Sequence, residues 1–150
     1  MCQALLSFFL LLLVVPALSV ETPRDLSRYR NKNRLLLVFA PSASDPRWAR
    51  QEALLAGSRA KFTDRDLLRL DLFERGGSRG AGASLASSEA AALRARYHVG
   101  RGRFRVLLIG KDGHVAFGGP TPVSLSDLTE RIDRMPMRRD EMRRGEREAR

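Results

Sequence analysis

Cysteine is almost missing from this chain: Cys2 is the only one in 150 residues. A single thiol cannot close an internal disulfide. With only two histidines, His98 and His114, the ligands of a structural zinc site are missing as well. Aromatic residues make up 7% of the chain, and they are not interleaved with the basic residues. The stacking platform that single-stranded nucleic acid needs is therefore absent, and no nucleic-acid partner is expected. Lysine is scarce too. Of 27 basic residues only Lys32, Lys61 and Lys111 are lysines; the rest are arginine.

What is present is one domain's worth of chain carrying a formal net charge of +10. The first twenty residues, MCQALLSFFLLLLVVPALSV, hold an apolar run from Ala4 to Val15. Pro16 breaks it, and the small residues Ala17 and Ser19 follow. The run is shorter than the roughly 20 residues of a membrane span. It fits the apolar core and cleavage site of an export signal over residues 1–19, although no Lys or Arg precedes it. Cleavage after Ser19 removes the only thiol, and the expected location is secreted or periplasmic. If the signal stays uncleaved, it anchors the chain to the membrane, the only membrane contact expected.

Residues 20–33 are polar and basic, a lead-in in which Arg24, Arg28, Arg30 and Lys32 outnumber Asp25. Arg34–Ala40 (RLLLVFA) reads as a strand buried on both faces. Asp45-Pro46 reads as a cap followed by proline at the first helical position. The helix it opens runs to Ala56, with Ala49, Ala53 and Ala56 on one face and Gly57 as its stop. Residues 66–74 alternate as a second strand, 75–84 read as a glycine-rich loop, and 87–97 as a helix with Ala90, Leu93 and Tyr97 in a stripe. Residues 103–109 and 114–117 form a hairpin about the turn Lys111-Asp112-Gly113. Ser124 opens a last helix with Leu125, Leu128, Ile132 and Met135 inward, and residues 138–150 read as a charged, solvated tail, helical or disordered. The order β-α-β-α-β-β-α, with a parallel first unit, is that of a thioredoxin-like α/β domain over residues 34–137.

Three segments carry a resemblance: LLLVFAPSASDPR (residues 35–47), FRVLLIGKDGHV (104–115) and IDRMPMRRDEMR (132–143). They resemble the bacterial domain-of-unknown-function 4174 family. That family is similar to the thioredoxin- or peroxiredoxin-like domain of animal extracellular proteins such as the sushi-repeat-containing protein. The resemblance spans residues 34–143 and implies a thioredoxin-like fold, an extracytoplasmic setting and no established activity. His114 stands where the family often has a second glycine.

Active thioredoxins keep their redox cysteines between the first strand and its helix. Here that segment is Pro41-Ser42-Ala43-Ser44-Asp45-Pro46, without sulfur. The chemistry needs a thiolate, which a serine hydroxyl does not replace at neutral pH without a base. The proline expected just before the third strand is also missing from Arg103-Phe104-Arg105. No nucleophile elbow surrounds Ser42 or Ser44, so these hydroxyls, with Asp45, read as helix caps. Gly80-Ala81-Gly82 lacks the third glycine of a dinucleotide loop, and there is no phosphate-binding G-K-[ST]. No cofactor, metal site or catalytic residue is expected.

The sequence therefore points to a non-catalytic binding or accessory module. Its expected partner is an extracytoplasmic protein or an anionic component of the cell envelope. The candidate surface is Ser42, Ser44, Asp45 and Arg47 at the first helix, facing Arg103 and Arg105. There the helix N-terminus offers N–H groups to an anion, with Asp45 opposing. The competing expectations are an enzyme of non-thiol chemistry and an accessory to envelope redox or stress handling.

Overall fold

The computed structural model describes residues 26–80 and 82–150; the expected signal over residues 1–19 and the start of the lead-in lie outside the described residues. Strand β1 (Arg34–Ala40) is buried at all seven positions. Its neighbours are β2 (Leu67–Phe73), parallel to it, and β5 (Arg105–Ile109), antiparallel. Beyond β5 lies β6 (Val115–Gly119), and beyond β2 come two short strands, β3 (Ser78–Gly80) and β4 (Ala83–Leu85). The sheet order is β4-β3-β2-β1-β5-β6.

Alternation along β1 divides the core in two. Leu35, Leu37 and Phe39 face one layer, where they pack with Leu70, Leu72, Leu107 and Ile109 under α3 (Ser87–Arg96). Ala90 and Leu93 fill that contact, with Tyr97 half-buried beside them, as the stripe predicted. Leu36, Val38 and Ala40 face the other layer, where Leu128 and Ile132 of α4 (Leu125–Asp133) are fully buried. Each such side chain contributes about 1.5–3 kcal/mol of burial. Ser124 caps α4 by accepting the Asp127 N–H at 3.1 Å. The parallel β1–β2 unit, the β5–β6 hairpin and the covering α4 are the expected thioredoxin-like arrangement.

Several local expectations give way to tertiary packing. Helix α1 (Pro46–Leu54) does not bury its alanines; Ala49, Ala53 and Ala56 are exposed. Its inward face is Trp48, Gln51 and Leu55, since the larger apolar surface wins the interior. A second short helix, α2 (Arg59–Asp64), precedes β2 where no helix was expected. The glycine-rich stretch is not a plain loop, because β3 and the start of β4 form a hairpin within it. Gly80 is required there: a Cβ would stand 2.6 Å from Cγ of Leu70 on β2.

The tail also differs. Residues 136–148 form α5 (Pro136–Glu148), and its first two turns are docked, not solvated. Glu141 accepts from both Arg34 Nη1 and Nη2 at 3.2 Å and from Lys111 Nζ at 2.7 Å. Arg138 donates to the Asp64 carboxylate at 2.6 Å and to its backbone oxygen at 2.7 Å. Arg65 and Asp133 join them through bonds of 3.0 and 2.7 Å. This network closes the pole of the molecule at which β1 begins. Charges hid the docking from a hydropathy reading.

Candidate functional site

The opposite pole, where β1 and β2 end, gathers the segments singled out in the sequence. The turn after β1 leads into α1, and the Asp45 carboxylate caps that helix by accepting the Arg47 N–H at 2.9 Å. The Arg47 guanidinium closes on the same carboxylate at 2.9 and 2.7 Å. That hydrogen bond holds the Asp45 carboxyl below the usual carboxylate range, against the opposing effect of burial. Ser42 and Ser44 do not cap the helix; their hydroxyls hydrogen-bond each other at 2.9 Å. The helix N-terminus already carries its anion, and Asp45 is that anion.

Arg47 links this turn to the segment before β5. Its Nη2 donates to the Gly102 carbonyl at 3.2 Å, and its guanidinium lies 5.8 Å from the Phe104 ring centre. Of the four candidate residues at the first helix, Arg47 is the one that reaches the segment before β5, and it holds Asp45 as it does so. Arg103 and Arg105 are exposed, and among the described residues neither has a carboxylate partner. With His98, Gly118 and Gly119 they line a cavity of about 360 Å³.

Two charged residues that the sequence reading passed over hold this pole together. Arg94 on α3 is buried and donates to the Ala40 carbonyl at 2.6 Å, the last acceptor of β1. Burial pushes its guanidinium below the usual value, with Glu74 opposing. Its Nε has no hydrogen-bond partner among the described residues. Glu74, just past β2, receives the Gly102 N–H on both carboxylate oxygens at 3.1 Å. The signal for Glu74 was its place at the carboxyl end of a buried strand. Arg94 gave none, because it adjoins Leu93 in a helix rich in exposed arginines.

Chemically this pole is a set of closed ion pairs beside open cations. The exposed His98 lines the cavity, His114 belongs to the β5–β6 turn at the other pole, and neither hydrogen-bonds Ser42 or Ser44 among the described residues. Neither makes a base for Ser42 or Ser44. Among the described residues no three His, Cys, Asp or Glu side chains group to hold a metal ion. No helix of the described residues is long and apolar enough to cross a membrane.

Comparison with known proteins agrees with this architecture. The model of a family described as Domain of unknown function (DUF4174) matches residues 25–141. That match ends at Glu141, the carboxylate that docks α5. The coiled-coil domain-containing protein 80 of Danio rerio is 33% identical across a 148-residue alignment. The alignment covers 81% of this chain but only 16% of that much longer protein. Two solved structures, Plasmodium yoelii Prx1a and Plasmodium yoelii thioredoxin peroxidase I, superpose with TM-scores of 0.52 and 0.53. Each is 19% identical, covering 72% of this chain and 76% and 75% of theirs. At that identity the likeness speaks to the fold alone, and the fold is thioredoxin-like.

Proposed function

The chain belongs to the DUF4174 family, and from that premise we propose that it is an exported thioredoxin-like domain that works by binding rather than by thiol chemistry. One observation carries the reading. The turn between β1 and α1, where active thioredoxins hold their cysteines, contains two serines bonded to each other and an aspartate closed by Arg47. Nothing in that turn supplies a thiolate. Its neighbour across the pole is a cavity whose arginines have no carboxylate partner among the described residues, a feature of surfaces that meet anions. The apolar run of residues 4–15 supports export. The partner class is an extracytoplasmic protein or an anionic envelope component.

The purified protein should neither reduce insulin disulfides nor consume peroxide above the rate of a protein-free blank. Turnover that persists in the Cys2→Ser variant overturns the reading. Mass spectrometry of the exported chain should find Val20 at its start. A chain retaining Met1 overturns cleavage at Ser19.

A further inference from the structure

We infer that β6 is a docking edge for an extended acidic segment of another protein, which adds to the sheet as a seventh strand. This rests on the reading of the domain as a binding module. In the sheet order β6 stands last, so its outer N–H and C=O groups pair with no strand among the described residues. Exposed edges are ordinarily blunted by charged side chains, because they template pairing with other chains. Residues 115–119 read Val-Ala-Phe-Gly-Gly and contain no charge. A register shift at Leu108/Ile109 leaves Ala116 as an extra residue near the start of the strand. Phe117–Gly119 continue in regular register with β5, and Gly118 sits where a Cβ would stand 2.7 Å from Cδ2 of Leu107.

Cavities flank this strand at both ends. At its start lies one of about 400 Å³, whose apolar wall of Val115, Ala116, Met135 and Met137 stands beside Lys111 and Asp112. Val115 and Met137 are 49% and 40% exposed, the only large hydrophobic side chains so exposed among the described residues, and both line it. At the other end the cavity of Arg103, Arg105 and His98 runs beside Gly118 and Gly119. The two ends are about 13 Å apart along the strand, at about 3.3 Å per residue. A strand laid along this edge reaches a largely apolar cavity at one end and, at the other, arginines with no carboxylate partner among the described residues.

Charge selects the occupant. The guanidinium of Arg105 lies by Gly118, and that of Arg131 stacks 4.1 Å over the Phe117 ring. Neither has a carboxylate partner among the described residues. A second copy of this chain, with its own net charge of +10, would bring the same unpaired arginines to the same strand. An acidic segment instead meets them with carboxylates while its main chain supplies the ladder, the mode of recognition by strand addition.

The test uses a fluorescein-labelled decapeptide of alternating valine and glutamate, read by fluorescence anisotropy against the purified protein. Two companions accompany it: the valine–lysine peptide, and the valine–glutamate peptide methylated on alternate backbone nitrogens. The acidic peptide should bind, the lysine peptide should not, and methylation should weaken binding at least tenfold. The double variant Arg103→Glu/Arg105→Glu should weaken it at least tenfold, and Met137→Gln a few-fold. These side chains are exposed, and unchanged melting curves verify the fold of both variants. Equal binding of the methylated peptide means attraction of charge without strand addition and overturns the inference. Absence of binding, or binding untouched by the arginine variants, overturns it too. Such a failure beside silent thiol assays leaves the proposed function standing, whereas turnover in those assays strikes the proposed function whatever the peptides do.

Discussion

Gln51 shows how much one buried polar side chain can decide. It is fully buried on α1, and its amide donates to the Val123 carbonyl and accepts the Val123 N–H, both at 2.8 Å. These bonds tie α1 to the segment that launches α4. In Gln51→Leu the side-chain volume is kept, but two buried backbone groups lose their partners. Each costs about 1–3 kcal/mol, so the loss of stability should be about 2–6 kcal/mol. Urea unfolding reads it as a lower midpoint with an unchanged slope, and a midpoint equal to that of the parent chain contradicts the assignment. Trp48, Gln51 and Leu55 are spaced as one helical face. The alanines at 49, 53 and 56 offered an equally regular face, and only packing against the sheet chooses between them.

At the scale of elements, α5 is held by charge and not by apolar area. Arg34 is 1% exposed and Lys111 8%, and both rely on Glu141. Glu141→Gln takes from Arg34 its carboxylate partner, while Lys111 keeps the Asp66 carboxylate at 2.8 Å, so the change should cost about 3 kcal/mol. Ending the chain after Met142 removes only exposed residues and should shift stability by no more than about 0.5 kcal/mol. Ending it before Pro136 removes both Arg138 and Glu141 and should leave the domain unfolded or nearly so. Thermal melts of the three chains separate these outcomes. Equal melting of the two truncated chains would show that the ion network does not dock α5. The alternation of β2 and the turn at Gly113, whose φ is +85°, were plain in the sequence because local rules govern them. Helix α2 and the β3–β4 hairpin were not, since neither has a hydrophobic period of its own and both form against β2.

For the molecule as a whole, acid is the condition that should expose these ion pairs. Asp45 is held below its ordinary value by Arg47. Burial alone would raise Asp133 and Glu141, but Arg65 and Arg138 outweigh it at Asp133. Lys111 and Arg34 do the same at Glu141. A carboxyl whose folded value is depressed contributes stability that is complete above its ordinary value, here 3.8 for Asp and 4.5 for Glu. That contribution is lost as pH falls through the depressed folded value, where the native state also protonates. Stability should therefore be flat near neutrality and fall steeply below the ordinary carboxylate values, with protons taken up on unfolding. In Glu141→Gln the acid slope should be shallower. Urea midpoints measured across that range check it, and an identical slope in the variant counts against Glu141 as a principal acid-sensitive group.

The sequence by itself determined the thioredoxin-like order of elements, the buried β1 and the absence of a thiol from the β1–α1 turn. These follow from periodicity, capping residues and simple presence or absence, all of which act over a few neighbouring positions. The juxtaposition of Ser42–Arg47 with Arg103–Arg105 was inferred from topology, and Arg47 on the Gly102 carbonyl gave it a physical link. Only the tertiary structure decided which arginines are closed by carboxylates and which stand open. An arginine's partner lies wherever the fold delivers it, 107 residues away for Arg34 and two for Arg47. Charge pairing is long-range in sequence and short-range in space, so no local pattern could have assigned it.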